Sequence, residues 1–273
     1  MMLSLTNDEF ETLTSYMKSN FGINLEKKRT LIEGRLTNYV LDRGFSTFSE
    51  YFALLFKEGS GQEVTKLVSF LTTNYSYFMR EWEHFEFLKN KVLPELKQTT
   101  RERDFRIWSA GCSTGEEPYT IAMLLADFLG TERAMWDSKV LATDISMKAL
   151  DAAKAGVYQE EQLEKIPAEW RSRYFRNMGN GRWEVRPALR EEVIFRSFNL
   201  AEETFPFQRP FHVIFCRNVM IYFDREAKAE LIRKFYRLTE PGGYLFVGQS
   251  ESISRDETGW QYVMPSVFRK GRV

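Results

Sequence analysis

The stretch Phe105-Arg106-Ile107-Trp108-Ser109-Ala110-Gly111-Cys112-Ser113-Thr114-Gly115-Glu116-Glu117-Pro118-Tyr119 decides the fold. Residues 105–109 read as a short strand. Small residues follow, and a helix is expected over about 118–129. Pro118 suits the first helical turn, where its missing N–H costs nothing. Gly111 and Gly115 let a ligand approach the backbone closely. A short glycine motif by itself also fits an ordinary strand–helix turn. The two glutamates add information. Phosphate loops keep a helix N-terminus free for an anion, whereas Glu116 and Glu117 put negative charge there and would welcome a cation, such as the sulfonium and ammonium of S-adenosylmethionine. Acidic residues also suit any helix N-terminus through its dipole, which accounts structurally for one of them.

Further strands are expected over 139–143, 193–197, 212–216 and 243–247, the first three of them ending at Asp144, near Asn199 and at Arg217-Asn218. Strands alternating with helices give an α/β fold, a mostly parallel sheet covered on both faces. Such sheets bind ligands at the carboxyl ends of their strands, where these polar residues fall. Asp144 is placed to accept hydrogen bonds from ribose hydroxyls, or to cap the helix that begins near Ser146. Residues 177–186 read as a hairpin around Gly179-Asn180-Gly181.

Upstream the period is helical. Thr6-Asn7-Asp8 caps a first helix; Leu31, Ile32, Leu36, Tyr39 and Val40 share one face of a second, over about 26–43. A third helix carries Tyr51, Phe52 and Leu55, and a fourth covers about 62–70. The expected organisation is a helical domain over 1–95, a polar linker over 96–104 and an α/β domain over 105–273.

Composition narrows the function. The chain has 273 residues with 38 basic and 38 acidic side chains, so its net charge is zero, which disfavours a nucleic-acid partner. Two cysteines and two histidines make neither a disulfide framework nor a zinc site. No apolar run reaches the roughly 18 residues that span a bilayer, and the first nine residues do not read as a signal peptide. A cytoplasmic location without membrane insertion is expected.

Several long strings together resemble the CheR family of chemotaxis protein-glutamate methyltransferases. They are Leu71-Thr72-Thr73-Asn74-Tyr75-Ser76-Tyr77-Phe78-Met79-Arg80-Glu81, then Trp108 through Tyr119, Ala142-Thr143-Asp144-Ile145, Phe215-Cys216-Arg217-Asn218-Val219-Met220-Ile221-Tyr222-Phe223, and Gly248-Gln249-Ser250-Glu251-Ser252. The resemblance implies a helical substrate-recognition domain followed by a doubly wound class I methyltransferase domain, with a small antiparallel β insert at about 176–192. It implies S-adenosylmethionine as cofactor, S-adenosylhomocysteine as product, and cofactor contacts at Asn74, Ser76, Arg80, Glu117, Asp144, Asn199, Leu200, Arg217 and Asn218, to which the turn adds Gly111. Ser76 stands where the family often has Thr and Met79 where it often has Phe; hydroxyl and bulk are kept. Tyr75, Tyr77 and Phe78 are read as core, as are Cys112 and Cys216.

The implied reaction is in-line attack of a glutamate carboxylate on the methyl carbon. The nucleophile, with an ordinary pKa of about 4.3, is already ionised and needs no general base. Arg80 would pair with the cofactor carboxylate, and Tyr222 would hold the acceptor or is a buried aromatic. Lys28 and Arg35, at the edge of the second helix's apolar face, would meet the methylation region of a chemotaxis receptor, or border a core stripe; Asn38 and Tyr39 stand where the family usually carries arginines. In the family the docking hairpin tends to be longer in members that use a receptor C-terminal pentapeptide tether, so with the compact Gly-Asn-Gly here the resemblance implies docking without that tether. A methyltransferase with another acceptor and a non-catalytic cofactor-binding scaffold are the alternatives.

Overall fold

A computed structural model describes residues 3–57, 61–72, 75–100, 102–253 and 259–272. Helices α1 (Asn7–Phe21), α2 (Arg29–Asp42), α3 (Phe48–Lys57) and α4 (Gln62–Leu71) come first. Local chemistry sets their ends. Thr6 Oγ accepts from the Glu9 N–H while the Glu9 carboxylate accepts from the Thr6 N–H, a reciprocal cap. Leu13, Met17, Ile32, Leu36, Val40, Tyr51, Leu55, Leu67 and Val68 close a hydrophobic core of their own.

A continuous helical run follows: α5 (Trp82–Phe87), a π-helical turn (Leu88–Val92) and α6 (Leu93–Thr99). The wide turn runs into Pro94, which has no N–H to continue the α-helical ladder. Phe85, Leu88, Val92, Leu93 and Leu96 pack against the central sheet, in the core of the α/β unit. Packing therefore divides the chain near residue 72, not near 95. The expected linker, 96–104, begins inside α6, because the helical period of 82–99 carries no mark of which core its apolar face joins.

The α/β unit continues with β1 (Ile107–Ala110), α7 (Glu116–Leu129), β2 (Val140–Asp144), α8 (Met147–Ala155), β3 (Val157–Gln159), α9 (Ala168–Tyr174), β4 (Phe175–Gly179), β5 (Arg182–Val185) and α10 (Pro187–Arg190). It ends with β6 (Val193–Ser197), β7 (Phe211–Cys216), α11 (Arg225–Arg237), β8 (Thr239–Val247), β9 (Trp260–Met264) and β10 (Val267–Lys270). The main sheet has the order β6-β2-β1-β7-β8-β10-β9. Its first five strands are parallel; β10 runs antiparallel to β8 and to β9. The five strands expected from sequence are present; the final antiparallel pair was not expected, because β9 is mostly exposed and β10 joins only two buried residues, Val267 and Phe268, to Arg269 and Lys270, so neither carries a strong apolar run.

The second sheet, β3-β5-β4, is antiparallel. It starts at Val157, well before the expected insert at 176–192, since β3 is only three residues long and pairs across 20 or more residues with β5. On one face of the main sheet Trp108 packs edge-on or tilted against Phe198, Phe205, Phe207, Phe211 and Phe235, five of the chain's 23 phenylalanines.

The sheet order reverses between β1 and β7, and the helical domain roofs that point. The Asn24 N–H donates to the Tyr222 carbonyl at 2.8 Å, Asn199 Nδ2 to the Asn20 carbonyl at 2.7 Å, and Lys18 pairs with Asp224 at 3.0 Å. Ser69 and Ser146 hydroxyls meet at 3.0 Å between α4 and α8.

Candidate active site

The cleft under this roof is built first by the turn after β1. The Gly111 and Cys112 N–H groups donate to the Thr143 carbonyl at 2.8 and 2.9 Å, tying the turn to the end of β2. Gly111 has φ +88°, and a Cβ there would lie 2.3 Å from a Val219 methyl. Asp144 accepts from the Ser113 N–H at 2.7 Å with one oxygen and from the Ser146 N–H at 2.8 Å with the other. The helix cap itself is Ser146, whose hydroxyl accepts from the Ala149 N–H. Each carboxylate oxygen of Asp144 keeps a further acceptor site. Burial pushes its carboxyl up, against the lowering by the Ser146, Ser113 and Ile145 backbone N–H groups.

The two glutamates of α7 part company. Glu117 lines the cleft; its Oε1 accepts from Ser109 Oγ at 2.7 Å and its Oε2 from Arg217 Nη1 at 3.2 Å. Burial raises its carboxyl and Arg217 opposes this. Glu116 turns away and accepts from Thr114 Oγ1 at 2.7 Å, the structural role expected of one of the pair.

Arg217 is buried, and its N–H groups are already taken. They reach Glu81 at 3.1 Å, Glu117 at 3.2 Å and the Arg80 carbonyl. Asn218, at φ +59°, donates its backbone N–H to Glu251 at 3.0 Å. Arg80 bridges back to the Tyr75 carbonyl at 3.0 Å and lies over the Tyr75 and Tyr77 rings. The Asn199 side chain is spent on the Asn20 carbonyl and the Ala201 N–H. Tyr222 lines the cleft, and its hydroxyl makes no hydrogen bond to a described residue.

Ser76, Arg80, Gly111, Glu117, Asp144, Asn199, Leu200, Arg217, Asn218 and Tyr222 thus converge on one cleft. Asn74 lies outside the described residues. Lys28 and Arg35 are not part of the cleft. Lys28 is exposed, while Arg35 turns inward and donates to the Phe70 and Thr72 carbonyls at 3.1 and 3.0 Å, holding the end of α4. Tyr75 and Tyr77, read as core, stand on the cleft wall; Phe78 is core as expected. The alternation Tyr75-Ser76-Tyr77 was the available signal. Glu81, Ile145, Phe198 and Glu251 were missed, because their roles depend on partners far away in sequence. Cys112 and Cys216 are buried and their thiols pushed well up by burial. His84, beside Glu81, is held down to about 4 by burial and then by Arg217, and so is neutral at pH 7.

The donor set fits a nucleoside carrying a cationic amino-acid tail. One carboxylate stands at the end of β2 and a second at the start of α7, Arg80 and Arg217 add guanidinium groups, and apolar walls are given by Ile145, Phe198, Leu200 and Val219. A parallel sheet closed by an antiparallel final pair, with this cleft at its reversal point, defines an S-adenosylmethionine-dependent methyltransferase. Residues 74–268 match the CheR methyltransferase, SAM binding domain, and residues 8–72 match the CheR methyltransferase, all-alpha domain. The chain belongs to the CheR methyltransferase family. It is 40% identical to a chemotaxis protein methyltransferase of Borreliella burgdorferi over 98% of this chain and 96% of that one. It is 38% identical to a chemotaxis protein methyltransferase of Escherichia coli, over 93% and 88%, and 35% identical to chemotaxis protein methyltransferase 1 of Pseudomonas aeruginosa, over 97% of both. The two family matches part between residues 72 and 74, and in the structure Leu71 belongs to the helical core and Phe78 to the α/β core. Among the described residues no helix is long and apolar enough to cross a membrane.

Proposed function

We propose that this enzyme esterifies glutamate side chains in the cytoplasmic domains of chemotaxis receptors. The observation that supports it most is Tyr222, which shares the cleft with Asp144 and Glu117 and whose hydroxyl has no hydrogen-bond partner among the described residues. S-adenosylmethionine, when bound, supplies an electrophilic methyl group on a sulfonium. Asp144 holds the ribose, and Glu117 offers negative charge to the cationic end. Arg80 pairs with the amino-acid carboxylate and, with Tyr222, frames the entry of the acceptor. The roof made by α1 and the 222–224 segment keeps water away from opposite charges that cancel as they react. Held geometry supplies most of the rate enhancement, and neither histidine is needed as a base, since the acceptor carboxylate is ionised at neutral pH.

Lys28, exposed at the start of α2, is the contact we assign to the acidic receptor helix; Arg35 contributes by holding α4. Docking proceeds without a C-terminal pentapeptide tether. The β4–β5 turn at Gly179-Asn180-Gly181 is tight, although β4 has an open edge onto which a strand could add. The test is incubation with methyl-labelled S-adenosylmethionine and receptor cytoplasmic fragments. Label released as methanol in mild base identifies a carboxyl ester; base-stable label would point to another acceptor, and no transfer to a scaffold.

A further inference from the structure

Glu81 stands behind the cleft rather than in it. Its Oε2 accepts from Arg217 Nε at 3.3 Å and lies 3.1 Å from Arg217 Nη2. Its Oε1 accepts from Asn218 Nδ2 and from the Gln249 N–H, both at 3.4 Å. One side chain therefore ties the residues after β7 to the residues after β8. Its backbone is equally constrained. Met79 at φ +63° and Glu81 at φ +54° are left-handed non-glycine residues flanking Arg80, a conformation that persists only when surroundings over-determine it. Met79 is buried in the α/β core; Glu81 is held through Arg217, which also donates to the Arg80 carbonyl.

We propose that Glu81 is a positioning residue for cofactor binding, which sets Arg217, Asn218 and the Arg80 backbone in the arrangement that forms the cleft floor. The inference rests on the S-adenosylmethionine reading of that cleft. Without Glu81, the buried Arg217 has Glu117 as its remaining carboxylate partner, and would draw on the group that faces the cofactor's cationic end. Burial works to raise the Glu81 carboxyl, but Arg217 foremost, with the Gln249 N–H, outweighs it and holds Glu81 below its ordinary value and charged. His84, 3.5 Å away, stays neutral and does not compete for it.

The test is calorimetric titration of S-adenosylhomocysteine into wild type, Glu81→Gln, Glu81→Asp, Arg217→Lys and the Glu81→Gln/Arg217→Lys pair, with thermal melts of each. Losing a charged partner is expected to weaken binding by about tenfold in Glu81→Gln, with the receptor KM unchanged and Glu81→Asp intermediate. In the Arg217→Lys background the same change should alter affinity by less than about twofold, since residues acting through one another are not additive. Wild-type affinity in Glu81→Gln, an equal loss in Glu81→Asp, additive losses, or a Glu81→Gln protein that does not fold would each overturn the proposal. Failure of the wild type to bind would instead overturn the cofactor reading.

Discussion

Replacing Gly111 by alanine should strike fold and cleft together, and the size of the effect follows from one backbone angle and one distance. The backbone there has φ +88°, and an added Cβ would come 2.3 Å from Val219 Cγ2. Left-handed backbone costs a residue with a Cβ about 1–2 kcal/mol. Overpacking against a held methyl adds about 1–3 kcal/mol. Gly111→Ala is thus expected to lose about 2–5 kcal/mol, and at this chain length each kcal/mol lowers Tm by about 2–4 °C. Relief by moving Val219 would push that side chain into the cleft it lines, so affinity for S-adenosylhomocysteine should fall as well. The two contributions separate in a cycle with Val219→Ala. The clash is relieved by removing the valine methyls, whereas the cost of the positive φ is not. The pair should show a favourable coupling of about 1–3 kcal/mol and leave about 1–2 kcal/mol unrecovered. Urea denaturation of the four proteins measures the coupling, and calorimetry follows the cleft. A Gly111→Ala protein as stable as wild type, or strictly additive effects in the pair, would refute the reasoning.

Asp144→Ala removes the acceptor of two backbone N–H groups and the proposed ribose contact; affinities for S-adenosylmethionine and S-adenosylhomocysteine should both drop by about 1–3 kcal/mol, and unchanged calorimetric affinity would take Asp144 out of the site. Tyr222→Phe should keep cofactor affinity and slow methyl transfer at saturating acceptor; an undiminished rate would make the ring structural. His212 is held from 6.5 down to about 4, by burial first and then by Arg106. Its folded pKa lies below its unfolded one, so stability is fully present above 6.5 and is lost as pH falls from 6.5 towards about 4. Urea melts of wild type and His212→Gln at several pH values should show a shallower acid loss in the variant. Receptor C-terminal pentapeptides should not bind at micromolar concentration, and deleting the receptor tail should leave the methylation rate unchanged; tight binding or a sharp fall in rate would refute tether-free docking.

What the sequence by itself determined is what depends on neighbours in the chain. Strand-like runs alternating with helices gave the parallel sheet and its direction. The turn after residue 110 and the acid at 144 follow from residue type and position at strand ends, and the start of the first helix from the capping residues at 6–8. The family strings pointed to the residues of one cleft. Tertiary structure decided everything that depends on which surface an element meets. The apolar stripe of 82–99 joined the sheet and not the helical domain, so the cores part near 72. Arg35 turned inward because the end of α4 offered it two carbonyls, and Tyr75 and Tyr77 came to the cleft wall while their neighbour Phe78 entered the core. Arg217 meets Glu81 and Glu117, which lie 136 and 100 residues away in the chain. No local spacing encodes such a pairing; burial creates it, because a guanidinium taken out of water must find carboxylates wherever the fold has brought them.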